Sequence, residues 1–173
     1  YIDAWMLLAD IYMRLERLDQ AEESYSKALS LDAHNTRALN GLAGIYCARG
    51  EFATAEKYYQ ESLSYDADNA DTHCYFGNAL FAGNRFSEST EYYQKAIELK
   101  PDYFVAYINL GHAFYNSERF DEAALSYKQG AVYSQDPDAV QECLANVVQY
   151  VENSALRQEI EGLLKNTSPA TTH

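Results

Sequence analysis

The most constraining feature of this sequence is a spacing of 34 residues at which similar side chains return. Tyrosine keeps this spacing over four copies, at Tyr25, Tyr59, Tyr93 and Tyr127. Large apolar side chains keep it at Leu8, Leu42, Phe76 and Leu110, and small ones at Ala21, Ala55, Ser89 and Ala123. A period of this length, held over four copies, indicates stacked supersecondary units rather than one globular core.

Each copy divides into two helical stretches, as residues 70–103 illustrate. In the first stretch, apolar or aromatic side chains stand at helical rather than strand spacing, at His73, Phe76, Leu80 and Phe81. Gly83 and Asn84 follow, and both accept backbone angles that end a helix. One helical hairpin cannot bury its own apolar face, so its neighbours must supply the rest. We therefore expect an all-α solenoid of stacked antiparallel helix pairs.

The acidic composition limits the possible partners. The chain has 26 acidic and 13 basic residues, a net charge of -13, and no basic segment. Binding to nucleic acid depends on basic residues that contact phosphates, so we expect no nucleic-acid partner. No apolar run approaches the roughly 18 residues that span a bilayer, and an acidic membrane surface would repel the chain, so we expect no membrane partner. The acidic residues suit a solubilising outer face, with attraction of a basic partner as the alternative.

Two further features concern the origin of the chain. Cys47, Cys74 and Cys143 are odd in number and show no CxxC spacing, which favours a reducing compartment and predicts a cytoplasmic protein. The sequence begins at Tyr1, already inside a repeat, so we expect it to be a piece of a longer protein.

The repeated residues resemble those of the tetratricopeptide repeat (TPR) family. In the first copy the resemblance is carried by Trp5, Leu8, Ala9, Tyr12, Ala21, Tyr25 and Ala28. It covers four full copies without insertions, at 2–35, 36–69, 70–103 and 104–137. Gly77 and Gly111 match the family's glycine, whereas its repeat-closing proline is present only as Pro101. The resemblance implies a right-handed superhelix in which the first helix of each copy lines a concave groove.

The end of the chain departs from the repeat phase. Residues 138–165 are predicted to form a degenerate fifth repeat, a capping helix pair with apolar positions at Val140, Leu144, Val147, Val148, Val151, Leu156, Ile160, Leu163 and Leu164. A stack of repeats needs such a polar-faced cap to stay soluble. Residues 166–173 are predicted to be a disordered tail.

The family geometry also predicts which residues line the groove. In the first three copies the inward-facing positions include Met6, Asp10, Met13, Arg14, Arg37, Gly41, Gly44, Ala48, Asp71 and Cys74. The predicted peptide-binding residues are Asn40, Tyr75, Asn78, Phe81, Ile108, Asn109, His112, Tyr115 and Asn116. Aromatic and apolar side chains beside amides suit a peptide, because amides bond its backbone and rings contact its side chains. Gly41, Gly44 and Ala48 are expected to leave a hollow for a bulky ligand side chain.

An alternative interpretation of the groove residues is purely structural. Phe81 and Tyr115 would then pack against the next repeat, and the asparagines would contact only water. The sequence does not decide between the two.

The residues that two known functions of the family require are largely absent from this chain. Members that clamp the acidic tails of heat-shock chaperones carry cationic residues at fixed groove positions. If the clamp were formed by the first three copies, those positions would be Met6, Asp10, Gly41, Asp71 and Tyr75. If it were formed by the last three copies, they would be Asn40, Gly44, Tyr75, Val105 and Asn109. Without that clamp we do not expect a chaperone-tail partner. The repeat arrays of O-linked N-acetylglucosamine transferase carry a ladder of asparagines. The equivalent positions in this chain are Leu7, Gly41, Tyr75 and Asn109, so only one of the four is an asparagine.

The sequence predicts neither catalysis nor a cofactor. Acid pairs such as Glu22 and Glu23 fall on outward helix faces, where they stay ionised. A metal site of Cys47, Cys74 and His112 is conceivable, but isolated polar residues are the simpler interpretation.

The leading hypothesis is a protein-interaction scaffold that holds an extended or helical peptide in the groove. Two alternatives remain open. The chain could self-associate through its uncapped end at Tyr1 and Trp5, or it could be the substrate-recruiting arm of a larger enzyme.

Overall fold

The computed structural model describes residues 1–134 and 137–167, and only the backbone of 137, 166 and 167. This part of the chain contains helices and no strands. The helices are α1 (Ile2–Arg14), α2 (Leu18–Leu31), α3 (Thr36–Ala48), α4 (Phe52–Tyr65), α5 (Ala70–Ala82), α6 (Phe86–Leu99), α7 (Phe104–Asn116), α8 (Phe120–Ala131), α9 (Pro137–Val148) and α10 (Ser154–Thr167). The predicted all-α helical repeat solenoid is confirmed.

The turn inside each hairpin has the same backbone geometry in all four copies. One residue per turn adopts a positive φ, at Glu16 (56°), Gly50 (77°), Asn84 (60°) and Glu118 (59°). The following N–H then donates to a carbonyl five residues back, as Arg85 does to Leu80 at 2.9 Å. This left-handed residue ends the first helix and reverses the chain, a conformation that glycine and asparagine adopt at little cost.

Two asparagines fix the start of the second and third repeats. Oδ1 of Asn35 accepts a hydrogen bond from the Ala38 N–H at 3.0 Å, and Oδ1 of Asn69 accepts one from the Thr72 N–H at 2.9 Å. Each side chain satisfies a backbone donor that the first helical turn leaves without a partner. α3 and α5 therefore begin at defined positions, which sets the register of the polar residues on them.

The chain divides into two compact units, and the first extends from Tyr1 to Leu99. Its core joins consecutive repeats: Tyr25 of α2 lies in one cluster with Ala38 and Leu42 of α3. Likewise, Tyr59 of α4 clusters with Phe76 of α5, and their rings stack with centroids 5.5 Å apart. The first two hairpins of this unit therefore bury apolar side chains against the first helix of the next copy.

A glycine lets the two helices of the third repeat approach closely. A Cβ on Gly77 would lie 2.6 Å from Cε1 of Tyr93, closer than real side-chain contacts. In the fourth repeat, a Cβ on Gly111 would lie 2.3 Å from Cε1 of Tyr127. Both glycines therefore leave the space that the tyrosine ring of the second helix occupies.

The second unit begins at Lys100. Its buried hydrophobic side chains come from all four of its helices and from the turn before α10, and are Ala106, Leu110, Ala113, Phe114, Ala123, Ala124, Tyr127, Val140, Leu144, Val147, Val151, Leu156 and Ile160. The Asp121 carboxylate accepts a 2.8 Å hydrogen bond from the Glu152 N–H and so anchors the turn before α10. Of the tail predicted to be disordered, 166–173, the first two residues belong to α10, and the rest lies outside the described residues.

Candidate functional site

A pocket of about 660 Å³ opens on the first helices of the N-terminal unit. We call it the α1–α3–α5 pocket. It is lined by Asp10, Met13, Arg14, Tyr25, Thr36, Arg37, Asn40, Gly41, Gly44, Tyr59, Asn69, Asp71 and Tyr75. Helices α1, α3 and α5 supply most of this lining, whereas the two tyrosines Tyr25 and Tyr59 reach it from α2 and α4.

In the first repeat, a tyrosine hydroxyl binds the pocket face of the preceding helix. The Tyr25 hydroxyl donates to Oδ1 of Asp10 at 2.8 Å, and Arg37 of α3 forms an ion pair with the other oxygen of that carboxylate. Burial, followed by the Asp10 carboxylate, raises the pKa of Tyr25, so the hydroxyl stays protonated and remains a donor. Asp10 is therefore held in place from both neighbouring helices.

The second repeat lacks this hydrogen bond because Gly44 occupies the position equivalent to Asp10. A Cβ on Gly44 would meet nothing within 4 Å, so the backbone there is open to the pocket. The Tyr59 hydroxyl interacts instead with the thiol of Cys47, and burial raises the pKa of both groups. Tyr59 is therefore a neutral donor, and Cys47 a neutral thiol, on this side of the pocket.

The pocket contains charges of both signs. Arg37 is paired with Asp10, whereas Arg14 and Asp71 have no ion-pair partner among the residues that the structure describes. The pKa of Tyr75 is raised by burial and then by the Asp71 charge, which shows that these two side chains interact electrostatically. The pocket therefore offers one unpaired cation and one unpaired anion to a ligand.

One amide in the lining is only partly satisfied. Nδ2 of Asn40 donates to the Thr72 hydroxyl at 2.7 Å, which links α3 to α5. Its Oδ1 is buried and has no hydrogen-bond partner within the described residues. A buried carbonyl oxygen without a partner costs about 1–3 kcal/mol.

The hollow predicted at Gly41, Gly44 and Ala48 is present at only part of that stretch. A Cβ on Gly41 would lie 2.4 Å from the Tyr25 ring, so a core side chain already fills that space. Gly44 is open, and Ala48 is exposed but does not line the pocket. The space accessible to a ligand is therefore centred on Gly44.

Four of the predicted peptide-binding residues lie in the N-terminal unit. Asn40 and Tyr75 line the pocket, and the Tyr75 side chain is 44% exposed. Asn78 is exposed but accepts a 2.9 Å hydrogen bond from the Tyr93 hydroxyl. Phe81 is half-buried against Phe86 of its own hairpin, edge to face at 5.1 Å.

The other five predicted residues lie on α7 in the C-terminal unit. Nδ1 of His112 is hydrogen-bonded to the Tyr127 hydroxyl at 2.8 Å, and the Asn116 amide donates to the His112 carbonyl. Tyr115 contacts Phe120 and Tyr150 with centroids 5.4 Å and 6.2 Å away. Ile108 and Asn109 are half-buried. Several of these side chains thus have partners inside their own unit.

Sequence reasoning misassigned some positions on these helices. Met6 and Cys74 were predicted to face the groove but are 3% and 1% exposed, so they belong to the core. Tyr25, Tyr59, Thr36 and Asn69 line the pocket and were not predicted to do so. The missed tyrosines carry the 34-residue period, which indicated core packing and gave no sign that their hydroxyl ends reach the pocket.

Within 1–134 and 137–167 no group of three or more His, Cys, Asp or Glu side chains is arranged to hold a metal ion. No helix in these ranges is both long enough and apolar enough to cross a bilayer.

Paired helices stacked at a 34-residue period define a helical-repeat protein, and comparison with known proteins identifies its family. Models described as TPR repeat or tetratricopeptide repeat match residues 1–67, 77–117 and 106–138, together about three-quarters of the chain. The chain belongs to the tetratricopeptide repeat family, a class of protein-interaction scaffolds. No curated protein sequence gave a significant match.

Solved structures share the fold at low sequence identity. PilF of Pseudomonas aeruginosa matches with a TM-score of 0.81 and 20% identity, over 97% of this chain and 77% of that one. YrrB, described as a TPR protein with an unusual peptide-binding site, matches with 0.63 and 18%, over 91% and 90%. A mutant of Thermobaculum terrenum O-GlcNAc transferase matches with 0.71 and 24%, over 79% of this chain but 26% of that enzyme.

Proposed function

We propose that this chain is a scaffold that binds a peptide segment of a partner protein in the α1–α3–α5 pocket. The observation that carries the proposal is the pocket itself, about 660 Å³ in volume and lined by three consecutive first helices. A ligand site is typically a concave surface with a few positioned polar groups. The likeness to YrrB, with its peptide-binding site, supports a peptide as the ligand.

The lining offers the kinds of contact that a peptide needs. Tyr75 presents an exposed ring, which can bury a ligand side chain, because aromatic residues contribute disproportionately to interfaces. The unpaired charges of Arg14 and Asp71 can orient a segment that carries both signs of charge. The amide of Asn40 can hydrogen-bond a peptide backbone or side chain.

The predicted residues on α7 are less suited to be the main site. His112 is bonded to Tyr127, and Tyr115 is packed on Phe120 and Tyr150. A ligand would have to compete with these contacts. Their part in peptide binding, with that of Ile108, Asn109 and Asn116, stays a prediction, and we place the principal contact on the N-terminal unit.

A selection from a random-peptide phage library on the intact chain tests this proposal. An enriched peptide is synthesised with a fluorophore and titrated by fluorescence anisotropy. We expect Tyr75→Ala to weaken binding about tenfold or more, since it removes an aromatic contact at the pocket.

The matched control is Tyr65→Ala, because Tyr65 is 45% exposed in the same unit and does not line the pocket. It should leave the affinity unchanged. The proposal is wrong if no peptide is enriched, or if both variants bind as the unaltered chain does.

A second candidate function, self-association, is favoured by the surface of α1. Leu7 and Ile11 on α1 are 62% and 44% exposed, and Leu15, the C-cap residue of α1, is 57% exposed. The three follow one another at four-residue steps, which places them along one side of the helix and its cap. Trp5, by contrast, is half-buried against the first core cluster. Exposed apolar residues at helical spacing suit contact with another helix, so a second copy of this chain would pack on this stripe rather than on Trp5.

Sedimentation equilibrium over a wide concentration range tests this candidate. The intact chain should associate, and Ile11→Lys should shift the equilibrium towards the monomer. Leu125→Lys is the control, because Leu125 is an exposed leucine on α8, 42% exposed. A chain that stays monomeric at near-millimolar concentration would rule self-association out.

A further inference from the structure

Three of the four repeats share a hydrogen bond across the helical hairpin, and the second repeat lacks it. The tyrosine hydroxyl contacts a polar side chain 15 residues earlier in the pairs Tyr25 and Asp10, Tyr93 and Asn78, and Tyr127 and His112. In the second repeat the tyrosine is Tyr59, and 15 residues earlier stands Gly44, which has no side chain. The acceptor is missing at one position of an otherwise regular series.

The missing side chain leaves space that is open to a ligand. Gly44 lines the α1–α3–α5 pocket, and a Cβ there would contact nothing within 4 Å. Tyr59 lines the same pocket, although its side chain is only 3% exposed. Its hydroxyl interacts with the Cys47 thiol, and sulfur is a weak acceptor. An oxygen atom placed beside Gly44 would give this hydroxyl the stronger acceptor that its equivalents have.

The repeat pattern places a carboxylate beside the same space. In the first repeat, Asp10 is paired with Arg37, which follows it by 27 residues. The residue 27 positions after Gly44 is Asp71, which lines the pocket and has no ion-pair partner among the described residues. By the equivalence of the repeats, a group beside Gly44 meets a donor, Tyr59, on one side and an anionic acceptor, Asp71, on the other.

We propose that this position binds the carboxamide of a glutamine or asparagine side chain from the bound peptide. The carboxamide oxygen accepts from the Tyr59 hydroxyl, and its NH₂ group donates to the Asp71 carboxylate. Glutamine and asparagine are the standard side chains that offer a carbonyl acceptor and an NH₂ donor on one carbon without charge. The peptide thereby completes the series of hydrogen bonds that the chain leaves open at Gly44. This inference rests on the proposed function, because it names the side chain that the same pocket selects.

Competing side chains satisfy only part of the position. A carboxylate can accept from Tyr59 but faces the negative charge of Asp71. A lysine can pair with Asp71 but leaves Tyr59 with only the weak Cys47 acceptor. An aliphatic side chain gives no hydrogen bond to the exposed Asp71 carboxylate and leaves Tyr59 with only the weak Cys47 acceptor. A site with polar groups on two sides therefore discriminates strongly against analogues that lack either one.

The experiment uses a peptide enriched on the intact chain and three synthetic versions of it. They carry glutamine, methionine or glutamate at the enriched amide position. We expect the methionine peptide to bind about tenfold more weakly than the glutamine peptide, because it is similar in size but has neither group. The glutamate peptide should also bind more weakly, because of Asp71.

Variants of the protein connect that preference to the two named groups. Gly44→Asn supplies from the chain itself the side chain that Asn78 supplies in the third repeat, so it should remove the preference for glutamine over methionine. Gly162→Asn is the matched control, because a Cβ on Gly162 also meets nothing within 4 Å. Asp71→Asn should reduce the discrimination between glutamine and glutamate, whereas Asp68→Asn, on a carboxylate outside the lining, should not.

The outcomes separate this inference from the proposed function. If peptides bind and Tyr75→Ala weakens them, but glutamine and methionine versions bind equally, the carboxamide inference is wrong and the peptide-binding proposal stands. The inference is equally wrong if histidine or an acidic residue occupies the enriched position. If Tyr75→Ala has no effect, both proposals fail. A glutamine preference that is lost in Gly44→Asn and kept in Gly162→Asn supports both.

Discussion

The hydroxyl of Tyr93 donates a hydrogen bond to Oδ1 of Asn78 at 2.9 Å, joining α6 to the exposed face of α5. Burial raises the pKa of Tyr93, so its hydroxyl remains a donor over the physiological range. This bond gives Asn78 a structural role on the face predicted to bind peptides. The equivalent bonds of Tyr25 and Tyr127 show that the role recurs along the chain.

Replacing Tyr93 by phenylalanine should lower the free energy of unfolding by about 1 kcal/mol. The ring and its packing stay, and one hydrogen bond at the edge of the core is lost. Urea denaturation followed by circular dichroism measures the change. Tyr65→Phe removes a hydroxyl from a tyrosine that is 45% exposed and should have no measurable effect. Equal losses in the two variants would show that the bond to Asn78 contributes nothing.

Replacing Gly111 by alanine should destabilise the chain by about 1–3 kcal/mol, the usual effect of overfilling a packed contact. The added Cβ would lie 2.3 Å from Cε1 of Tyr127, so helix or ring must move. Gly162→Ala is the control, because its Cβ meets nothing within 4 Å. There alanine should stabilise α10 by up to about 1 kcal/mol through helix propensity. A stabilising Gly111→Ala would contradict the close contact seen here.

Replacing Glu118 by glycine should stabilise the chain by up to about 1 kcal/mol. Glu118 adopts a φ of 59°, a conformation that costs most L-residues about 1–2 kcal/mol, and the equivalent turns have Gly50 and Asn84. The gain is partly offset because glycine makes the unfolded chain more flexible. Thermal denaturation should show a higher midpoint. Glu142→Gly, inside α9, should have the opposite effect, because glycine weakens a helix interior.

The fold could be predicted from the sequence because the 34-residue period places similar side chains at equivalent positions in four copies. Tyr59 and Phe76, 17 residues apart, both keep the 34-residue step, and the structure stacks them between neighbouring repeats. Gly83 and Asn84 marked a turn, and Asn84 has the left-handed φ that ends α5. These signals are local and redundant, so an error in one copy does not change the architecture.

The site was predictable only in part, because a period assigns a residue to a helix face and not to a partner. Asn40 and Asn78 both fall on the predicted face, yet one lines the pocket and the other bonds to Tyr93. Tyr115 packs on Phe120 and on Tyr150, which lies between α9 and α10. The contact with Tyr150 agrees with the alternative interpretation, in which Tyr115 packs against the next repeat. A usable signal for the pocket was Gly44, because the equivalent residues of the other repeats, Asp10, Asn78 and His112, are polar.

The stability of the C-terminal unit should depend on the protonation of His112. Burial lowers the pKa of His112 below its usual 6.5, and its Nδ1 contacts the Tyr127 hydroxyl at 2.8 Å. In the unfolded chain the same imidazole has its ordinary, higher pKa. Between the two values the unfolded state binds more protons, so lowering the pH favours unfolding. The contribution of neutral His112 is complete above about pH 6.5 and is lost as the pH falls through the folded pKa.

His112→Asn separates this effect from the titration of other groups. Asparagine keeps an acceptor for the Tyr127 hydroxyl, as Asn78 does for Tyr93 in the third repeat, but it does not titrate. Urea denaturation from about pH 8 to about pH 5 should show a smaller loss of stability in the variant than in the unaltered chain. His34→Asn is the control, because His34 is exposed and makes no bond to a repeat tyrosine hydroxyl among the described residues. Identical pH profiles for the unaltered chain and His112→Asn would mean that His112 is protonated as easily in the folded chain as in the unfolded one.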